Sequence, residues 1–461
     1  MTVDEFTDIL RSKLPFEPNS QQNALIGALG RFCSDAVGGE SIFLINGYAG
    51  TGKTSIIGAL VKTLADVRIP SVLLAPTGRA AKVFSSMASR PAYTIHRRIY
   101  RMDSAGRMDL TLNNTPFTVF IVDEASMIGN ERDSGGSTLL DDLLQHVFAA
   151  DNCKLILLGD SAQLPPVGCE VSPAMDVATL KKRGLRVSRA VITDTVRQDH
   201  NSDILRNATR LRRSMLLDPL PEPRLIVDRH DDVVSVSPED LPDAIAASYS
   251  AVGKEETILI TRSNRRATDF NLAIRRQIFD YEESLVRGER LLVAKNNYHW
   301  SSKVKGLDFI ANGDIAIIDR IIATEDMGPL HFADVALTLP DRGGITIEAK
   351  IITNTLVLDT PCLPANEMAA LMQHRLSVIA PGASESAAMR ALRSDPYVNA
   401  LQVKYGYAVT CHKAQGGQWS DVFVDMSYIP PEAMGLDFYR WLYTATTRAT
   451  RRLHYIGINN K

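Results

Sequence analysis

Four short strings of this chain combine residue types that could bind and cleave a phosphoanhydride. The first, GYAGTGKTS at residues 47–55, follows the apolar residues 42–45 and precedes a helix-permissive stretch. We expect Gly47, Gly50 and Gly52 to let the main chain curl until several N–H groups point at one anion. A strand, a glycine-rich loop and a helix in this order predict a phosphate-binding loop, with a plain glycine-rich turn as the alternative.

The polar side chains of this loop suit a triphosphate with its metal ion. Lys53 would bring a compact positive charge to the β- and γ-phosphates, and the Thr54 hydroxyl would ligate Mg²⁺. Thr51 and Ser55 complete the predicted nucleotide-binding loop. The string therefore predicts ATP and Mg²⁺ as cofactors.

The second string, VDEAS, places two carboxylates directly after the apolar residues 119–122. Ligands of open α/β sheets bind at the carboxyl ends of the strands, which is where this pair would lie. We expect Asp123 to hold the magnesium ion and Glu124 to orient and deprotonate the attacking water. An exposed Asp-Glu pair is common, so this interpretation depends on the phosphate-binding loop.

The third and fourth strings supply further polar groups. GDSAQLPPV at residues 159–167 follows another apolar run, and the Gln163 amide could sense the γ-phosphate. Its alternative role is that of a polar loop residue before a proline turn. TTRAT at residues 446–450 contains Arg448, which taken alone has the simpler interpretation of a solvated surface charge.

Alternating strands and helices must position these strings. Apolar strand candidates separated by helical stretches predict a parallel sheet covered on both faces, and therefore an α/β fold. The candidates of the first half are residues 42–46, 71–75, 119–122 and 154–159. A polar insertion at residues 97–116, with a turn at 103–106, predicts a small β-hairpin.

The second half repeats the α/β pattern, but a β-rich segment interrupts it. Its sheet candidates are residues 257–261, 407–410, 421–425 and 454–457. Three β-rich runs between them predict a small barrel, at residues 314–322, 331–339 and 344–352. A helical segment near residues 366–393 then leads back to the second lobe.

Composition limits the class of protein. The chain has 461 residues, enough for two or more domains, and a net charge of −2, so any nucleic-acid track must be local. No apolar run is long enough to cross a membrane and the first twelve residues carry acids, so we expect a cytoplasmic protein. The five cysteines are scattered and form no metal-binding pair.

These strings, in this order, resemble those of superfamily 1 helicases of the RecD-like or Dda-like branch, from about residue 19 to the end of the chain. Further strings carry the resemblance: NSQQNA at 19–24, APTGRAAK at 75–82, TIH at 94–96, ITDTVR at 192–197, NGD at 312–314, AVTCHKAQG at 408–416 and YTATTRA at 443–449. The family implies two RecA-like lobes, a hairpin in the first and an SH3-like barrel in the second.

The resemblance implies the remaining site residues. Gln21 would read the adenine, Gly416 would lie at the nucleotide, and Arg197 and Arg448 would reach the γ-phosphate from the second lobe. The implied contacts with single-stranded DNA are Thr77, Lys82, Thr94 and His96 on the first lobe and Thr410 and His412 on the second. The two histidines could instead be buried structural residues.

The resemblance also implies domain boundaries. The first RecA-like lobe would comprise residues 1–96 and 117–180, with the hairpin at 97–116. The second lobe would comprise residues 181–287 and 404–461, with the barrel and helical arm inserted at 288–403. Cations and an aromatic decorate the hairpin, as expected for a wedge that meets a duplex: Arg97, Arg98, Tyr100, Arg101 and Arg107.

The implied function is an ATP-dependent DNA helicase that translocates 5′ to 3′ on single-stranded DNA and unwinds duplex DNA. Its partners would be single-stranded and partial-duplex DNA, with a single-strand-binding protein as a candidate, and it would act as a monomer. One alternative is a DNA-stimulated ATPase that remodels complexes without separating strands. Another is a phosphate-loop ATPase that never touches DNA.

Overall fold

The computed structural model divides the chain into two compact units. It describes residues 2–34, 40–102, 108–132, 136–194, 202–302, 304–307, 309–427 and 429–458. Unit 1 comprises Met1–Val233, Gln415–Gln418 and Ile429–Arg448. Unit 2 comprises Val234–Ala414, Trp419–Tyr428 and Ala449–Lys461.

The α-helices of the described residues are numbered along the chain. They are α1 (Val3–Ser12), α2 (Ser20–Ser34), α3 (Lys53–Asp66), α4 (Gly78–Ala88), α5 (Ile95–Ile99), α6 (Leu139–Phe148), α7 (Val177–Lys182), α8 (Asp203–Ser214), α9 (Leu241–Val252), α10 (Asn264–Gln277), α11 (Ala365–Ile379), α12 (Glu385–Ser394), α13 (Cys411–Ala414) and α14 (Leu436–Thr446). None of these described helices combines the length and the apolar character needed to cross a membrane.

The β-strands are numbered in the same way. They are β1 (Ser41–Gly47), β2 (Ser71–Ala75), β3 (Ala92–Thr94), β4 (Tyr100–Met102), β5 (Met108–Leu110), β6 (Val119–Val122), β7 (Lys154–Gly159), β8 (Arg186–Ile192), β9 (Val233–Val236), β10 (Thr257–Thr261), β11 (Arg290–Val293), β12 (Ile315–Met327), β13 (Leu330–Leu339), β14 (Ile345–Ile352), β15 (Leu401–Tyr405), β16 (Ala408–Thr410), β17 (Trp419–Asp425) and β18 (Ala449–Ile456).

Unit 1 is built on a six-stranded parallel sheet in the order β3-β2-β6-β7-β1-β8. Successive residues of β1 enter the cores on opposite faces of this sheet. Phe43 and Ile45 belong to one apolar core, and Ile42 and Leu44 belong to the other. Burial on both faces requires near-continuous apolar strands, as the sequence indicated, and the predicted α/β fold is confirmed.

The edge strand β8 lies outside the boundary that we expected for the first lobe. Residues 181–287 are expected in the second lobe, but β8 pairs in parallel with β1 and unit 1 continues to Val233. Most of the β8 side chains are exposed or half-buried, because only one strand flanks it. Such a strand lacks the apolar run that identifies central strands.

The predicted hairpin of unit 1 is present, because β4 and β5 pair antiparallel from Tyr100 opposite Leu110. The Tyr100 hydroxyl donates to Asp142 on α6, and the Arg97 guanidinium lies 5.4 Å from the centre of the Tyr93 ring. The turn at 103–106 and Arg107 lie outside the described residues.

Unit 2 combines a sheet, a barrel and a helical arm. Its five-stranded sheet has the order β16-β10-β17-β18-β9, and strands β11 to β15 form a closed barrel. The arm helix α11 contributes Leu371 to a small core that also holds Leu330 and Phe332 of the barrel strand β13. The predicted barrel and the helical segment after it are therefore confirmed, whereas the likeness to an SH3 barrel stays a prediction.

His454 gives unit 2 a predicted loss of stability in acid. Its ring stacks on Phe423 at a centroid distance of 4.1 Å, and neither ring nitrogen has a hydrogen-bond partner among the described residues. Burial lowers the pKa of His454 to about 4. The charge of Asp421 opposes this shift, whereas the charges of Arg452 and Arg451 add to it. As the pH falls, the unfolded chain therefore protonates His454 at a higher pH than the folded protein does.

Stability contributed by neutral His454 is present at neutral pH and is lost as the pH falls from the unfolded value near 6.5 toward 4. We expect the free energy of unfolding to fall by about 3 kcal/mol across that pH range because of His454. His454→Phe should flatten the dependence of the chemical-unfolding midpoint on pH, and His374→Phe, which changes an exposed histidine on α11, should not. Equal pH dependence in wild type and His454→Phe would contradict the assignment.

Candidate nucleotide-binding site

The backbone of residues 47–54 has the conformation that the glycine pattern predicts. Gly50 and Gly52 have φ of 77° and 80°, in the left-handed region that favours glycine, and α3 begins at Lys53. A Cβ on Gly47 would lie 2.6 Å from Lys53 Cδ, so no larger residue fits while this lysine folds across the loop. The loop therefore curls tightly at the amino end of a helix, where N–H groups favour an anion.

The polar side chains of the loop lie around this curl. Lys53 Nζ donates to the carbonyl oxygens of Gly47 and Tyr48, the latter at 2.9 Å. Thr51 is fully buried and donates its hydroxyl proton to the Tyr48 carbonyl at 2.8 Å. Thr54 and Ser55 are half-buried on the first turn of α3.

Asp123 and Glu124 follow β6 at the same edge of the sheet as this loop. The Asp123 carboxylate accepts a hydrogen bond from the Glu124 N–H at 2.9 Å, and Glu124 has a φ of 53°, which is costly for a residue with a Cβ. Burial raises the pKa of Asp123, and it raises that of Glu124 to about 6. The Lys53 charge opposes both shifts, so the three groups interact electrostatically.

Arg448 lies in unit 1, together with Lys53 and Glu124, and not in the second lobe as the resemblance implied. Its guanidinium is near enough to lower the pKa of Glu124, and of the opposing charges it has the largest effect. The side chain is 4% exposed and donates to the carbonyls of Thr444 at 3.0 Å and Gly417 at 3.2 Å. Arg197 lies outside the described residues.

Gln163 lies in the loop that follows β7, at the same sheet edge. It is buried, and its side-chain oxygen has no hydrogen-bond partner within the described part of the chain. Burying an unsatisfied carbonyl oxygen costs free energy, so the site leaves an acceptor ready for a donor such as water. The observation fits a residue that contacts the reacting group.

Helix α14 contacts two loops of the site through residues that the sequence analysis did not single out. The Tyr443 hydroxyl bonds to the Ala49 N–H and to Asp160, and Thr444 Oγ1 accepts from the Leu164 N–H at 2.8 Å. Tyr443 and Thr444 belong to the string at residues 443–449, but their partners are 280 or more positions away, so the string does not indicate these contacts.

Two adjacent glutamines of α2 contact different parts of the site. The Gln21 amide oxygen accepts from the Thr193 N–H at 2.9 Å, and its nitrogen donates to the Thr193 hydroxyl at 2.9 Å. Gln22 is fully buried and donates to the Thr51 carbonyl at 3.1 Å. Gln22 is thus the glutamine that supports the loop, whereas Gln21 donates one of its two amide hydrogens to Thr193 and could offer the other to a base.

The expected DNA contacts of unit 1 lie on or next to the helices α4 and α5. Thr77 and Thr94 cap α4 and α5, each accepting at 3.2 Å from an N–H in the first turn. Lys82 is exposed on α4, and His96 is half-buried, with its ring centre 5.7 Å from that of Tyr100. Burial lowers the pKa of His96, with Asp142 opposing the shift.

The other expected contacts divide between the units. Thr410 ends β16 and His412 is exposed on α13, both in unit 2. Gly416 belongs to unit 1, where an added Cβ would lie 2.9 Å from the Ala80 Cβ and 3.2 Å from Thr77 Oγ1. The structure therefore places Gly416 beside a residue expected to bind DNA.

The residues expected to hold Mg²⁺ fit a metal that also binds phosphate. Among the residues that the structure describes, no three His, Cys, Asp or Glu side chains form a protein-only metal cage. Magnesium is usually held by one or two carboxylates together with substrate phosphates. A single carboxylate, Asp123, near the Lys53 charge and at the sheet edge of the loop, has the donor type for that arrangement.

Two family models match the chain. Residues 21–217 match the AAA domain model, and residues 405–456 match the UvrD-like helicase C-terminal domain model. The first match contains the loop with Lys53 and the carboxylate Glu124, and the second contains Arg448. Together they cover the parts of unit 1 that form the site.

Relatives and solved structures are similar over different lengths. The ATP-dependent RecD2 DNA helicase of Deinococcus radiodurans is 31% identical over 135 residues, which are 29% of this chain but only 17% of that protein. Uncharacterized protein R530 of Acanthamoeba polyphaga mimivirus is 21% identical over 90% of this chain and 95% of its own length. The Pif1 helicase structure from Candida albicans is 17% identical, with a TM-score of 0.45 over 97% of this chain and 95% of that one.

Proposed function

We propose that the chain is a superfamily 1 helicase of the RecD-like branch and that it is a DNA helicase driven by ATP hydrolysis; the two family-model matches and the local similarity to the RecD2 helicase support the proposal. It would move 5′ to 3′ along single-stranded DNA and unwind duplex DNA ahead of it. One observation carries the proposal: Lys53, Arg448 and the half-buried Glu124 lie in one compact unit, where both cations oppose the rise in the pKa of Glu124. This polarity rests on the family resemblance.

Each residue of the site would have a defined task in hydrolysis. Glu124 accepts the proton of the attacking water, and its raised pKa brings it nearer to neutral pH, as suits a general base. Lys53 and Arg448 offset the negative charge that spreads over the transferring phosphoryl group. Mg²⁺, when bound by Thr54 and Asp123, neutralises charge on the β- and γ-phosphates.

The DNA track would consist of hydroxyls, backbone amides and cations that contact phosphates and need no base sequence. Unit 1 offers Thr77, Lys82, Thr94 and His96, and unit 2 offers Thr410 and His412. A Cβ added to Gly416 would lie 3.2 Å from Thr77 Oγ1, so the backbone at Gly416 passes close to Thr77. In the same short segment of unit 1, the Gly417 carbonyl accepts from Arg448. This segment would join DNA contact to the nucleotide site.

Two measurements test the proposal. ATP turnover should rise on addition of oligo-dT, and a partial duplex should unwind when it carries a 5′ single-stranded tail but not a 3′ tail. Unwinding only from the 3′ tail would contradict the polarity. Turnover without DNA stimulation would contradict a DNA motor, and stimulated turnover without unwinding from either tail would favour a remodelling ATPase.

A further inference from the structure

Tyr443 joins two loops of the site through one buried hydroxyl group. The hydroxyl oxygen accepts from the Ala49 N–H at 3.0 Å, and the hydroxyl proton is donated to Asp160 Oδ2 at 2.7 Å. Tyr443 and Asp160 are 1% and 2% exposed, so water cannot readily replace either bond. Burial, followed by the Asp160 charge, raises the pKa of Tyr443 well above its ordinary value, so the hydroxyl keeps its proton.

The position of Tyr443 bears on the position of Arg448. Tyr443 lies in the last turn of α14, and its carbonyl accepts from the Thr447 N–H at 3.0 Å. Arg448 follows directly and returns to the same turn, where its Nε donates to the Thr444 carbonyl at 3.0 Å. A shift of this turn relative to the nucleotide loop would therefore move the Arg448 guanidinium relative to Glu124.

We propose that Tyr443 is a positioning residue of the ATPase site. Its hydroxyl sets the position of α14 relative to the nucleotide loop at Ala49 and so holds Arg448 beside Glu124. The inference rests on the proposed function, because it takes Arg448 to stabilise the transition state of hydrolysis. A purely structural tyrosine would stabilise unit 1 without affecting one stage of the reaction more than another.

Tyr443→Phe removes the hydroxyl with both of its hydrogen bonds and keeps the ring. Because Arg448 acts mainly in the transition state, we expect kcat for ATP to fall about fivefold to tenfold, the scale of losing the bond to Ala49 that ties α14 to the nucleotide loop, with KM within about twofold of wild type. In an Arg448→Ala background the same change should lower kcat less than about twofold, because residues that act as a unit are not additive.

Tyr439→Phe is the matched control. Tyr439 lies one turn earlier on α14, is fully buried, and donates its hydroxyl proton to the Pro221 carbonyl. Its loss removes a bond of the same type away from the nucleotide loop, so kcat should stay within about twofold of wild type. Thermal unfolding of both variants reports the structural cost of each hydroxyl.

Binding of a transition-state analogue provides a readout that needs no turnover. Tyr443→Phe should weaken binding of ADP with aluminium fluoride about fivefold to tenfold and leave the Kd of ADP alone unchanged. Equal losses for both ligands, an unchanged kcat, the same loss in Tyr439→Phe, or an undiminished effect in the Arg448→Ala background would each overturn the proposal. Turnover and binding are measured without DNA, so a wild type that DNA fails to stimulate refutes only the proposed function.

Discussion

Lys53→Ala should lower the rate of ATP hydrolysis at least about a hundredfold, the scale of losing one preorganised group from a charged transition state. Lys53 is the cation of the glycine-rich loop, and its charge already acts on Asp123 and Glu124. Its ammonium group donates to two loop carbonyls in the structure, so its loss also removes bonds that hold the curl. Steady-state turnover with and without oligo-dT measures the effect.

Lys62→Ala is the matched control for this prediction, because Lys62 is an exposed lysine on the same helix, α3. It should leave turnover within about twofold of wild type, since exposed charges far from a site contribute little. Wild-type turnover in Lys53→Ala would show that the nucleotide binds elsewhere. Loss of turnover in both variants would indicate damage to α3 and not loss of a catalytic group.

The strands that precede the motifs could be predicted from their apolar sequences. Because these strands are parallel, the motifs that follow them could also be placed at the same edge of the sheet. Parallel strands buried on two faces read as apolar runs, and β2, β6 and β7 were predicted with the bounds that the structure has. Residues that follow such strands meet at one edge of the sheet. Asp123 and Gln163, which follow β6 and β7, could therefore be placed near the glycine-rich loop from sequence.

Contacts between distant segments could not be predicted in this way. Tyr443 meets Asp160 across 283 positions and Ala49 across 394, and nothing local to Tyr443 specifies either partner. The glutamines of α2 illustrate a second limit. Neighbouring helical residues point about 100° apart, so the support of Thr51 by Gln22 and the engagement of Gln21 with Thr193 depend on a rotation that the motif does not resolve.

The assignment of Arg448 to the second lobe illustrates a third limit. The strands on either side of it in sequence, β17 and β18, belong to unit 2, so chain order favoured that lobe. Helix α14 nevertheless packs with α8 in unit 1, and its Tyr443 and Thr444 side chains bond to the loops of that unit at Ala49, Asp160 and Leu164. Chain order alone does not determine which core a helix joins.

Glu124→Gln should lower the rate of ATP hydrolysis at least about a hundredfold while ATP still binds, because glutamine keeps the shape of the side chain but cannot accept the proton of water. The substitution also removes a negative charge close to the site for the phosphates, which repel it, so ATP affinity should stay equal or increase. Single-turnover hydrolysis and the Kd of a fluorescent ATP analogue separate the two effects.

Glu131→Gln, which changes an exposed glutamate shortly downstream, should leave both quantities unchanged. Wild-type turnover in Glu124→Gln would mean that another group activates the water, whereas a loss of binding equal to the loss of turnover would assign Glu124 to holding the nucleotide.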